Sequence, residues 1–171
     1  QPGAVRLFDH IWPELAEAFE TLDTKGMDVI VDAGRLGREG LPVALLEVAD
    51  AIGFVLQSNL KSLAASRLYL PLLVEQVNSL TADRPLGLLI TGPDRPYSAR
   101  EITAQFGVSC WAQIPWAPHP AGVLSHGLTP PRRFRSSPLL SSYRATALNL
   151  TQQLERDKGL RRKLLLGEGA P

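Results

Sequence analysis

Apolar residues recur at Leu7, Ile11, Leu15, Phe19 and Leu22 with acids between them. That helical spacing predicts a helix over 6–22, stopped by Gly26. The β-branched run Asp28-Val-Ile-Val-Asp32 lies between Gly26 and Gly34 and predicts a buried strand. Gly34, Gly37 and Gly40 mark a turn, followed by a short helix over 41–48. A second strand is predicted over 51–56. Ser58 or Asn59 is placed to cap the next helix, which the pattern carries to about residue 80 with Pro71 as a kink or a restart.

A third strand is predicted over 86–91, closed by Gly92-Pro93. Ser98-Ala-Arg-Glu101 matches the capping box, in which the Ser caps the backbone and the Glu reaches back to the cap amide. The helix it opens should run to Phe106 and stop at Gly107. Residues 108–114 predict a fourth strand ended by Pro115, and 118–138 a Pro-rich loop with one helical turn over 121–125. A helix is predicted over 138–155, then a frayed, basic, flexible tail over 156–171. Strands alternating with helices argue for a mostly parallel sheet flanked by helices, an α/β fold. Runs that are apolar throughout predict a sheet covered on both faces. Ligands in such sheets bind beyond the carboxyl ends of the strands. Here those ends are 32–34, 56–59, 91–94 and 114–117.

Composition narrows this picture. The chain has 171 residues, 44% apolar and 20% charged, which suits one domain and is too apolar for a disordered chain. No apolar stretch approaches the roughly 20 residues of a membrane helix, and no secretory signal pattern opens the chain, so a cytoplasmic protein is expected. A single Cys110 excludes an intrachain disulfide, and within the strand beside Trp111 it reads as a buried, inert thiol. The chain opens on Gln1 and its one Met is Met27, consistent with processing or with a piece of something longer.

Charge is uneven: residues 1–83 hold six Lys/Arg against twelve Asp/Glu, and 84–171 hold twelve against five. The positive half is interleaved with Pro and Ser, so Pro131-Arg-Arg-Phe-Arg135 reads as a solvated loop. The Leu/Lys/Arg tail after Leu154 reads as a fraying helix, with an anionic membrane surface as the alternative.

Candidate chemistry centres on Asp32. A carboxylate at a strand end beside Ala33-Gly34 suits the outer shell of a nucleotide-bound Mg²⁺, and equally reads as the cap of a turn. A phosphate loop of the Gly-x-x-x-x-Gly-Lys-Ser/Thr type is absent. For Lys61-Ser62 to belong to one, glycines would have to stand at Val55 and Leu60. His10, His119 and His126 lack partners at metal-ligand spacing, and no serine has the flanking glycines of a nucleophile elbow.

Asp28-Val-Ile-Val-Asp32-Ala-Gly34 followed by Val48-Ala-Asp50-Ala-Ile-Gly-Phe-Val-Leu56 resembles the middle of the MinD/ParA-type ATPases. The strand at 86–91, the helix start Pro96-Tyr97-Ser98-Ala99-Arg100-Glu101, then Ile114-Pro115-Trp116 and Gly122-Val-Leu-Ser125-His-Gly127, continue the resemblance in order over about residues 6–155. The resemblance implies a P-loop NTPase-like, three-layer α/β/α fold, present as the C-terminal part of the ATPase domain over 1–155. It implies ATP and Mg²⁺ as ligands of the complete protein and homodimerisation when nucleotide is bound. It also implies protein partners, with DNA or membrane contact open, and a role in positioning chromosomes, plasmids or cellular machines. Carried over, Asp32 corresponds to the catalytic, Mg²⁺-linked acid. Gly34 or Gly37 lies near the terminal phosphate, and Thr91-Gly92 and Pro115-Trp116-Ala117 flank the adenine. Three positions depart from it: the phosphate loop is absent, Thr91 stands for the family's Asn, and Ala117 for its frequent Asp. Those departures keep open a degenerate scaffold that binds proteins without catalysis, and an unrelated doubly wound domain. A sheet lacking its first strands exposes an unpaired edge, so self-association of the isolated chain is expected.

Overall fold

The computed structural model describes residues 10–165, with side chains through Glu155. The chain divides into two compact units, Gln1–Ile52 with Ala64–Leu86, and Gly53–Leu63 with Gly87–Pro171.

In the first unit, helix α1 (Ile11–Thr24) packs against α2 (Val43–Val48). Residues 6–9 of the predicted first helix lie outside the described residues. Helix α3 (Leu60–Asn78) runs unbroken through Pro71. It buries Ser66, Leu70, Leu73 and Val77, whose spacing of four, three and four places them on one face.

Residues 28–32 form no strand. Ile30 is 94% exposed, and Val29 and Val31 are exposed beside it. The expectation of a buried strand here is corrected. A β-branched run becomes a strand only where a neighbour completes its ladder, and among the described residues none does.

A three-stranded sheet, within the second unit except for Ile52 and Leu86, has the order β1 (Ile52–Gln57), β2 (Leu86–Thr91), β3 (Cys110–Ile114). The Ile52 amide donates to the Pro85 carbonyl at 2.9 Å and the Ser58 amide to the Thr91 carbonyl at 3.1 Å. Both chains advance six residues between these bonds, so β1 and β2 run parallel. β2 and β3 are also parallel, with Leu88 opposite Cys110 but Leu89 opposite Ala112. Trp111 is the extra residue of that bulge. Its ring occupies the space that a side chain at Gly87 would need.

Central β2 buries Gly87, Leu88 and Ile90. Edge strand β1 alternates instead, with Ile52 and Leu56 buried and Gly53, Val55 and Gln57 exposed. The expectation of cover on both faces therefore holds for β2 and not for β1, whose Val55 is 64% exposed.

Helix α4 (Ala99–Phe106) buries Ala99 and Ile102, and α5 spans Pro118–His126, longer than the single turn expected. A 3-10 turn at Phe134–Ser136 leads into α6 (Pro138–Leu165), which packs on β3 and buries Leu139. The backbone of α6 stays helical ten residues beyond the expected end at 155; residues 166–171 of the expected tail lie outside the described residues. No helix among the described residues is long and apolar enough to cross a membrane.

Candidate functional site

Parallel strands end with their carbonyls and following loops on one side of the sheet, and there the second unit opens a cleft of about 150 Å³. Gln57, Ser58 and Asn59 line it from the end of β1, and Thr91 and Gly92 from the end of β2. Arg95, from the loop after β2, and Trp116, two residues past β3, complete the lining.

Ser58 holds these loops together. The side chain is 1% exposed, and each of its polar groups has a partner. Its amide donates to the Thr91 carbonyl at 3.1 Å, and its carbonyl accepts from the Tyr97 amide at 3.4 Å. Its hydroxyl donates to the Gly92 carbonyl and accepts from the Arg95 amide at 3.3 Å. Thr91 Oγ1 donates to the Leu56 carbonyl at 3.1 Å.

At the head of α3, Asn59 Oδ1 accepts from the Ser62 amide at 2.8 Å, as an N-cap does. Its Nδ2 donates to Gln57 Oε1 at 2.7 Å. Gly92 takes φ +63°, a left-handed turn that a side chain would strain, and its Cα faces both Arg95 and the Trp116 ring. The Arg95 guanidinium lies 5.7 Å from the centroid of the Trp116 indole, a cation–π pair at the rim. Trp116 is 53% exposed, so the ring is open to a stacking partner.

Of the residues the sequence singled out, Thr91, Gly92 and Trp116 meet in this cleft. Half-buried Pro115 joins β3 to Trp116 and does not line it. Asp32, Gly34 and Gly37 belong to the first unit, in the exposed connection between α1 and α2. Asp32 Oδ1 accepts from the Gly34 amide at 2.9 Å, which is the turn cap that the pattern also allowed.

Gln57 and Arg95 were not singled out by motif; the strand-end rule covered Gln57 and stopped one residue short of Arg95. Ser58 and Asn59 were legible, but only as alternative caps, and Asn59 is the one that caps. The signal that would have found Arg95 is its place three residues past a strand-ending glycine.

These residues fit a planar group laid against an indole, with polar atoms at its edge. They do not by themselves fit Mg²⁺ or a triphosphate. Among the described residues no group of three or more His, Cys, Asp and Glu side chains is placed to hold a metal, and Asp32 offers a single exposed carboxylate.

The remaining candidates stay inert. Ser125 Oγ and His126 Nδ1 lie 2.6 Å apart on the exposed end of α5, where the Ser hydroxyl also bonds the Ala121 carbonyl. Cys110 is half-buried. Burial pushes its thiol above the ordinary range, against a weaker opposing effect from its contact with the Ala112 carbonyl.

Compared with protein-family models, with curated proteins and with solved structures, the chain matches none.

Proposed function

We propose that this chain is the base-binding portion of a nucleotide-dependent ATPase of the MinD/ParA type. Such a protein would position chromosomes, plasmids or a cellular machine and dimerise in its nucleotide-bound state. One observation carries the reading: the cleft at the carboxyl ends of the parallel strands is lined by Thr91, Gly92 and Trp116. These are three of the residues that the resemblance sets beside the adenine. In this reading the phosphate-binding loop and the principal Mg²⁺ contacts come from sequence outside these 171 residues. Asp32 would join them only in the complete protein, where nucleotide acts as a switch for partner docking.

Two measurements test it. The coding sequence upstream of Gln1 should contain a Gly-x-x-x-x-Gly-Lys-Ser/Thr loop within roughly one domain's length. The protein including that segment should bind Mg–ATP or Mg–GTP saturably by calorimetry. Failure of both removes the ATPase reading.

A degenerate scaffold that retains the fold for protein interaction is the second reading. It is favoured by the Asp32 carboxylate, which closes a local turn with Gly34. Binding of Mg–nucleotide that is lost in Asp32→Ala would exclude it.

A further inference from the structure

Two exposed sets of charge, of opposite sign, stand without ion-pair partners. From Ile102 to Leu154 the chain holds no Asp or Glu, and its only Lys or Arg side chains there are Arg132, Arg133, Arg135 and Arg144. Arg132, Arg133 and Arg135 are exposed on and just before the 3-10 turn that leads into α6, beside half-buried Phe134. The Arg144 guanidinium donates to the Arg135 carbonyl at 2.8 Å, which brings a fourth cation to the same turn. Among the described residues none of these guanidinium groups has an acidic partner.

Helix α1 carries the complement. Trp12, Leu15, Ala16, Phe19 and Leu22 are its buried and half-buried side, while Glu14, Glu17 and Glu20 are exposed. The helix contains no Lys or Arg. Steps of three residues set the carboxylates along a face about 9 Å long. Among the described residues none of them has a basic partner.

We propose that the arginine turn at 132–135 of one copy docks on the acidic face of α1 in a second copy, joining chains head to tail. This is independent of the nucleotide reading. A guanidinium meets a carboxylate with two parallel bonds, a fit that lysine does not offer, and every cation of the turn is Arg. A net charge of +1 gives the whole chain little pull on a foreign polyanion, whereas near-zero net charge promotes association between chains. Each copy gives one surface and receives on the other, so the contact builds rings or open chains. Exposed ion pairs are weak singly, so docking takes several at once and is sensitive to salt.

Sedimentation velocity tests this on the whole 171-residue chain carrying Ile30→Ser, which removes the exposed apolar run as a second cause of association. The association constant should fall at least about tenfold between about 0.01 M and about 1 M salt, as the screening length shrinks from about 30 Å to about 3 Å. Arg132→Glu with Arg133→Glu should be monomeric, and so should Glu17→Arg with Glu20→Arg. Mixed together, the two should associate again, because each surface then meets the opposite sign, and that recovery shows both to be folded. Arg38→Glu with Arg100→Glu makes the same change of net charge at other exposed positions and should associate as the parent does. A parent that stays monomeric at low salt overturns the proposal. So does association that the turn or helix variants leave intact, that mixing fails to restore, or that the control loses equally. A monomer that binds a DNA duplex through Arg132 and Arg133 gives the turn to a polyanion and overturns it as well.

Discussion

Gln76 holds Leu41 by both of its backbone polar groups. Its Oε1 accepts from the Leu41 amide at 3.0 Å and its Nε2 donates to the Leu41 carbonyl at 2.9 Å. The side-chain amide thus does for Leu41 what a neighbouring strand would do, and ties the end of the glycine-rich connection to α3. Gly40 must be bare for this. It takes φ +73°, and a Cβ there would overlap the Gln76 amide. Gln76→Ala strands two part-buried backbone groups and should cost about 1–3 kcal/mol in urea unfolding. Gln76→Glu, which keeps the acceptor and loses the donor, should fall between. Wild-type stability in the alanine variant would show that water replaces the clasp without loss.

Gly87 and Trp111 make the second such fit. The β3 bulge lays the indole where a Gly87 side chain would stand, in a buried position on the central strand. Gly87→Ala therefore forces the ring or the register to shift, at about 1–3 kcal/mol. Near-ultraviolet circular dichroism should report the altered tryptophan setting. An unchanged spectrum and midpoint would mean that the ring swings aside freely.

The capping box of α4 makes a pH-dependent contribution. Glu101 accepts from the Ser98 amide at 2.8 Å and from its hydroxyl at 2.6 Å. Those bonds, the side-chain one first, hold its carboxyl below the ordinary range against a small opposing effect of burial. A carboxyl lowered in the folded state stabilises fully above its unfolded pKa and loses that stabilisation as pH falls through the folded value. Unfolding midpoints of wild type and Glu101→Gln should therefore converge on acidification from pH 7 through the carboxylate range. A constant gap would sink the assignment. Ser98→Ala, which removes the cap and the larger of those two bonds, should cost about 1 kcal/mol near neutral pH and less as pH falls through the carboxylate range.

Ile30 stands 94% exposed between two exposed valines on a segment that joins no sheet among the described residues. Exposed apolar runs of this kind favour pairing with other chains. The isolated chain should self-associate with rising concentration in sedimentation velocity, and Ile30→Lys should shift it toward monomer. A monodisperse monomer at all concentrations would show that water alone tolerates this segment.

What the amino-acid sequence determined by itself is local. Ser98 and Glu101 announced the start of α4 and Gly107 its left-handed end, at φ +67°. Ser58 and Asn59 announced α3 as alternative caps, and the apolar runs at 51–56 and 86–91 became β1 and β2, the first shifted by one residue. Caps and turns act between residues three or four apart, so nearby residues suffice to specify them. Tertiary structure decided which apolar runs find neighbours. Residues 28–32 and 86–91 look alike as sequence, yet only the second pairs, because a ladder needs a partner that no local pattern supplies. It also decided the cleft. Ser58 meets Gly92 across 34 positions and Arg95 meets Trp116 across 21, contacts made only once the parallel strands have brought their carboxyl ends together.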